Sequence, residues 1–321
     1  MPFTILYLFV IHSGHAKIQV LRAGICNTDL ELLQGYMGFK GVLGHEFVGR
    51  VVEGSEKWLN QRVCGDINVG CADCQVCDGS FDLTDSKRSR NHCPSRQVLG
   101  ILNKDGTFAE YLTLPEKNLH LVPPELSDEE AVFAEPLAAA CRIVEQNLVK
   151  LSDKVAILGD GKLGLMIAEV LGRQQLETKP VLFGKHQHKL ELVKDSGVDT
   201  RLVSSVSADH SYDVVVDATG SPEGLRLAAS LCRPMGTLVL KSTCAAGSQG
   251  FNAAPFVIDE LRVVGSRCGP INHALNLLRE ADPPLNVSKY ITKTFPLQEV
   301  NQALQFAALK STMKIQIVMH E

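Results

Sequence analysis

Residues 17–20 alternate polar and apolar side chains, the period-two pattern of a strand with one buried face. Residues 47–52, 62–69, 108–114 and 119–122 read as further strands, so the first third is β-rich, compact and punctuated by glycine. Asn27, Thr28 and Asp29 suit a helix start, since short polar side chains cap free backbone N–H groups. Leu30, Leu32 and Leu33 would then pack inward. The glycines at 35, 38, 41 and 44 predict a loop between this helix and the next strand. Ser127 and Glu130 form a capping-box pattern opening a helix over the alanine-rich run 131–144. A break within it is expected at Glu135 and Pro136.

The second half changes character. Residues 154–158 are a short apolar run, as in a strand buried on both faces, and a helical pattern runs from the following glycines to Leu171. Strands are expected at 181–183, near 201–203, and at 213–217, 237–240 and 261–264, with helical stretches between most of them. Such alternation predicts an α/β fold, a doubly wound parallel sheet with helices on both faces. A helix at 271–279, a strand near 291, a helix at 297–309 and a last strand at 314–318 then return to the first domain. The expected division is 1–125, 126–265 and 266–321, with the α/β unit inserted in the β-rich one.

Bulk composition narrows the picture. At 321 residues the chain is long enough for about two domains, and 45 % hydrophobic with 21 % charged residues is ordinary for a globular protein. A net charge of -4 gives no reason to expect nucleic acid or an anionic membrane as partner. No apolar run approaches the ~20 residues of a membrane-spanning helix. Residues 2–11 are apolar, but no basic residues precede them and no small-residue cleavage site follows, so a strand is expected and not a signal peptide.

Cysteine and glycine then point to chemistry. Of ten cysteines, Cys71, Cys74, Cys77 and Cys93 fall in one region. Their spacing suits thiolates converging on a metal in a reducing compartment, with the cytoplasm as default. Four thiolates leave zinc no open position, so such a site would be structural; a redox pair or isolated buried thiols are the alternatives. Cys26, His45 and Glu46, together with Glu135, offer the thiolate, imidazole and carboxylate donors of a catalytic zinc, which keeps a position open. His45 and Glu46 are adjacent, so both reach one ion only at a strand's irregular start.

Gly159, Gly161 and Gly164, with Lys162 and Leu163 between, follow a strand and open a helix. This is the dinucleotide fingerprint, in which the glycines permit a tight turn, close approach to a pyrophosphate and close helix packing. Thr219 follows a strand at the carboxyl edge, where ligands bind in open α/β sheets. No carboxylate stands about twenty positions after the glycines. Lys185 does stand near there and suits a 2′-phosphate, which favours NADP(H) over NAD(H).

Taken in order, Gly24-Ile25-Cys26-x-Thr28-Asp29, Gly44-His45-Glu46, the four cysteines, Glu135-Pro136-Leu137 and Gly159-x-Gly161-x-x-Gly164 resemble the zinc-dependent medium-chain dehydrogenases/reductases, among them alcohol, sorbitol and glucose dehydrogenases. The resemblance covers nearly everything from Lys17 onward. It implies a GroES-like catalytic domain, a Rossmann domain and an active site in the cleft between them. By position, Cys26 and His45 would ligate catalytic zinc, Glu46 would be a ligand or near neighbour, and Glu135 a third or water-bridged ligand. Thr28 would pass the alcohol proton outward, Asp29 would steady the site, and Cys71, Cys74, Cys77 and Cys93 would hold structural zinc. The implied activity is interconversion of a secondary alcohol or polyol and its carbonyl with NAD or NADP, in a homodimer or homotetramer. Three departures stand out. Glu31 occupies the place of a relay histidine, the interval from Cys77 to Cys93 is long, and the segment before Lys17 is short. The alternative is therefore a catalytically impaired NADP(H)-binding member with a truncated catalytic domain.

Overall fold

The computed structural model describes residues 12–78, 80, 91–243, 252–282 and 284–319. The strand expected at 2–11 and most of the polar stretch before Cys93 lie outside them. The chain forms two compact units, one containing the described residues up to Phe133 and those from Ile291, the other Ala134–Tyr290.

In the first unit the strand His15–Ile25 is the hub of the sheet. It pairs antiparallel with Glu46–Glu53, Tyr111–Pro115 and Lys314–Val318, and Ile291–Pro296 adds parallel to the last. Arg62–Gly65 and Leu119–Leu121 continue beyond Glu46–Glu53. The expected alternation holds: Ala16, Ile18 and Val20 are buried while their neighbours are partly exposed. Register places Gly24 opposite both Glu46 and Gln316, so the chain's last described strand meets the start of Glu46–Glu53 at one end of the hub.

Several local expectations shift. Residues 62–69 form two strands, Arg62–Gly65 and Asn68–Val69. In the helix Asn27–Leu33, Leu32 packs inward, but Leu33, the helix's last residue, is exposed. The Ser127–Glu130 capping box forms, yet its helix, Asp128–Ala131, is short. The break falls at residues 132 and 133, and Pro136 lies in the first turn of the new helix Ala134–Glu145. Its missing N–H costs nothing there, since first-turn N–H groups have no intrahelical acceptor.

The second unit carries a six-stranded parallel sheet in the order Asp199–Leu202, Val181–Gly184, Val155–Leu158, Tyr212–Asp217, Cys232–Leu240, Arg262–Gly265. In sequence terms this is 3-2-1-4-5-6, the Rossmann order, which reverses beside Val155–Leu158 and so opens a crevice at that strand's carboxyl end. Ala156, Leu158, Phe183, Val215 and Leu238 fill one core layer. The helix Ile271–Glu280 buries Ile271, Ala274, Leu275 and Leu278 and packs along Ala134–Glu145. It therefore belongs to this unit, and the chain rejoins the first unit at Ile291, later than the expected residue 266.

Candidate functional site

Gly44 adopts a positive φ of 93°, where a Cβ would strike Thr107 and Phe108. That turn delivers His45 just before the strand Glu46–Glu53 begins. Two adjacent residues thus avoid the opposite-face rule of a regular strand. Cys26 precedes the helix Asn27–Leu33. Cys26, His45 and Glu46 each offer a ligand atom, and these atoms lie within 4.8 Å of one another. A soft thiolate, an imidazole and a carboxylate gathered this closely fit zinc.

Asp29 organises this group. It is fully buried, accepts the Cys26 backbone N–H at 2.8 Å through Oδ2, and accepts the Gly44 N–H at 3.1 Å through Oδ1. The same Oδ1 lies 3.3 Å from His45 Nδ1. Burial opposes protonation of His45, but the Asp29 charge and hydrogen bond, with Cys26 adding to them, outweigh it and hold its pKa well above the ordinary value. One carboxylate therefore fixes both backbone segments that carry donors and places its charge beside the imidazole. Partners of this kind contribute about 10–100-fold to metal affinity. Asp29→Asn is expected to weaken zinc binding by that factor in a competitive chelator titration; unchanged affinity would remove Asp29 from the site. Thr28 Oγ1 lies 3.8 Å from Cys26 Sγ.

Glu46 has a second partner that sequence reasoning missed. Lys314 Nζ, from the strand Lys314–Val318, lies 2.7 Å from Oε1 and 2.5 Å from Oε2. Both side chains are buried, at 0 % and 3 % exposure. A lysine 268 residues away leaves no local signal in the sequence.

Cys71, Cys74, Cys77 and Cys93 also converge, with one sulfur from each within 4.8 Å of the others. Cys93 Sγ is 3.5 Å from Cys71 Sγ and 3.8 Å from Cys74 Sγ, and it accepts the Cys71 N–H. Desolvation disfavours the Cys93 thiolate, but N–H and S–H donors from Cys71, the Ser95 N–H and Cys77 bring its pKa down to about 7. Burial raises Cys77, and the hydrogen bond to Asp73 raises Cys71. The redox-pair and isolated-thiol alternatives fit this four-fold gathering less well than a metal does.

In the second unit the three fingerprint glycines have separable reasons. Gly159 has φ +112° and lies against the Ala218 carbonyl; a Cβ on Gly164 would sit 1.9 Å from the Gly159 oxygen; a Cβ on Gly161 would meet nothing. These are the turn, the helix packing and the open approach to a pyrophosphate, at the N-terminus of the helix Lys162–Leu171. Leu163 is partly buried in its first turn. Thr219 bonds through N and Oγ1 to Asp217 Oδ1, which shapes the turn after Tyr212–Asp217. Lys185 is exposed just beyond the strand Val181–Gly184.

Asp160 was not singled out by the sequence. Its Oδ2 accepts the His186 backbone N–H at 2.6 Å and lies 3.0 Å from His186 Nδ1. Its side chain also occupies the space a Cβ on Gly184 would need. The place from which a ribose-binding carboxylate would project is therefore filled by Asp160, whose own carboxylate is engaged by His186. Glu135 stands in the first turn of Ala134–Glu145. Lys241 is buried in the same unit, with Nζ on the carbonyls of Ala139 and Arg267 and 3.3 Å from Ser266 Oγ. Desolvation lowers its pKa to about 8, against the charges of Cys268 and Glu135, which raise it.

Comparison with known proteins agrees with this geometry. The family model "Alcohol dehydrogenase GroES-like domain" matches residues 12–124, and "Zinc-binding dehydrogenase" matches 161–281. D-arabitol-phosphate dehydrogenase of Enterococcus avium is 26 % identical over 324 residues, covering 94 % of this chain and 88 % of that protein. An alcohol dehydrogenase of Escherichia coli CFT073 solved with NADH superposes with a TM-score of 0.83 at 26 % identity, covering 97 % of this chain and 94 % of that one. A putative zinc-binding dehydrogenase of Sinorhizobium meliloti 1021 bound to NADP gives 0.83 at 26 % identity, covering 98 % and 94 %. The chain belongs to the zinc-type medium-chain dehydrogenases/reductases, a family of NAD(P)-dependent zinc oxidoreductases.

Proposed function

We propose that the chain interconverts a secondary alcohol or polyol and its carbonyl compound, using zinc and NAD(P). The observation that carries this reading is the gathering of Cys26, His45 and Glu46 around one point, backed by Asp29. In it, Cys26 and His45 ligate the catalytic zinc, Glu46 stands beside them, and the family resemblance adds Glu135 as a further ligand. Cys71, Cys74, Cys77 and Cys93 hold a structural zinc. When bound, zinc would supply Lewis acidity and the nicotinamide a hydride acceptor. Thr28 accepts the substrate hydroxyl proton, and Asp29 keeps the His45 ring in its working orientation. Gly159, Gly161, Lys162, Leu163 and Gly164 bind the coenzyme pyrophosphate, and Thr219 borders that site. Family resemblance further suggests a homodimer or homotetramer. The reduced cysteine cluster favours the cytoplasm, and among the described residues no helix is long and apolar enough to cross a membrane.

The testing experiment is metal analysis of the purified protein with an alcohol and aldehyde panel and both coenzymes. Zinc and turnover on at least one secondary alcohol or polyol are expected. Coenzyme binding without turnover on any member would instead favour the catalytically impaired alternative. Within that experiment NADPH is expected to bind more tightly than NADH, because Gly184 offers no carboxylate, Asp160 is engaged by His186, and Lys185 is exposed beside them. Lys185→Ala should weaken NADPH by about tenfold, the value of one charge-assisted hydrogen bond, and leave NADH unchanged. Equal loss for both coenzymes would remove Lys185 from this role.

A further inference from the structure

We infer that His186, anchored by Asp160, makes the choice between NADPH and NADH depend on pH. This deepens the coenzyme reading above and rests on it. Asp160 lies in the fingerprint turn after Val155–Leu158, and His186 follows the strand Val181–Gly184. The two strands are neighbours in the sheet, so the pair stands where their carboxyl ends meet. In this fold that is the place of the adenosine ribose, whose 2′ substituent distinguishes the two coenzymes.

The imidazole is held at one nitrogen and free at the other. Asp160 Oδ2 accepts the His186 backbone N–H at 2.6 Å and lies 3.0 Å from Nδ1. A carboxylate can only accept, so the contact needs a hydrogen on Nδ1. The remaining chemistry falls to Nε2, which has no partner among the described residues. In the neutral ring Nε2 is a bare acceptor and suits the ribose 2′-hydroxyl of NADH. In the protonated ring Nε2–H is a charged donor and suits the 2′-phosphate of NADPH. Asp160 sharpens the contrast, because its charge is balanced by the imidazolium and repels a phosphate once the ring is neutral. Gly184 leaves the carboxylate this place, since a Cβ there would lie 2.8 Å from Asp160 Oδ2.

The other charges around the ring come from several elements. Lys185 and Lys189 stand on its own segment, where Glu191 is taken by Gln187 at 2.6 Å. Lys162 lies two positions beyond Asp160, and Arg201, on the neighbouring strand Asp199–Leu202, acts on Tyr212. Histidine is the side chain that ordinarily changes charge between about pH 5 and 8. The other histidine of the segment is His188, whose exposed ring meets that of His186 edge-on with centroids 5.8 Å apart.

The test titrates the zinc-loaded, full-length protein with NADPH and with NADH, followed by coenzyme fluorescence, from about pH 6 to about pH 8.5. The ratio of dissociation constants, NADPH over NADH, is expected to rise about tenfold or more across this range, the loss of one charge-assisted hydrogen bond. In His186→Gln the ratio no longer rises. The change that remains is the second ionisation of the 2′-phosphate itself, which beside Lys185 acts in the opposite direction. His188→Gln keeps the trend of the unaltered protein. In Asp160→Asn the imidazolium loses the anion that holds it, and the trend moves to lower pH. A ratio independent of pH overturns the inference. So does a rise that persists in His186→Gln, one that vanishes in His188→Gln, or one that Asp160→Asn leaves unmoved. The slope of the ratio against pH tests the inference and its value tests the preference for NADPH, so the two can fail separately. Failure of both coenzymes to bind at any pH would sink the coenzyme reading and the inference with it.

Discussion

Cys26→Ala is expected to remove the catalytic metal equivalent and nearly all turnover while leaving coenzyme binding intact. The thiolate is the softest of the gathered donors, and it sits where Asp29 fixes its backbone N–H at 2.8 Å. Alanine at this position removes the sulfur without disturbing that bond, because the bond is made by the main chain. The loss is therefore chemical rather than conformational. A Lewis-acid contribution of several kcal/mol, at about 1.4 kcal/mol per tenfold, corresponds to a fall of about 10³-fold or more in kcat/KM. Metal content should drop by the catalytic equivalent alone, since Cys71, Cys74, Cys77 and Cys93 form a separate cluster. Dinucleotide affinity should stay within about twofold, because the fingerprint loop lies in the other unit. Retained turnover with full metal content would refute the role of Cys26.

Much of this was legible along the chain because its signals are local. Gly159, Gly161 and Gly164 sit within six positions, and strand-helix alternation after them is a period change that needs no tertiary knowledge. Cys71, Cys74 and Cys77 likewise declare themselves by spacing. His45 and Glu46 were legible as a pair, and the positive φ at Gly44 explains how both approach one point. What stayed hidden depends on side chains that meet only after folding. Lys314 reaches Glu46 because two strands pair with the same hub, and nothing near either residue announces it. Asp160 meets His186 because two parallel strands, Val155–Leu158 and Val181–Gly184, end side by side.

The helix break was misplaced for a related reason. Proline is a strong local stop, but its cost depends on whether the lost N–H had a partner, and in the first turn it has none. The return of the chain to the first unit was read too early because the helix Ile271–Glu280 carries an apolar stripe that suits either unit. Its burial against Ala134–Glu145 settles where it belongs.

The fingerprint glycines give a second strong effect, because two of them are expected to fail in different ways. At Gly164 an added Cβ would lie 1.9 Å from the Gly159 oxygen and 2.9 Å from the carbon of the same carbonyl. Both are backbone atoms and cannot rotate aside, so the helix Lys162–Leu171 must shift away from the turn. Overpacking of this kind costs about 1–3 kcal/mol. The same shift displaces the helix N-terminal N–H groups that face the pyrophosphate. Gly164→Ala should therefore lower the thermal midpoint and weaken coenzyme binding by about 10–100-fold. At Gly161 the added Cβ meets nothing within 4 Å, and the residue has an ordinary extended conformation at φ -78°. Gly161→Ala should keep the midpoint of the coenzyme-free protein, yet still weaken binding, because the methyl group stands where the pyrophosphate comes close to the backbone. Thermal melts with and without coenzyme separate the two cases: Gly164→Ala loses stability in both conditions, whereas Gly161→Ala loses only the increment that coenzyme adds. Wild-type coenzyme affinity in Gly161→Ala would mean that the dinucleotide does not lie over this loop, and the hydride-transfer reading would lose its acceptor.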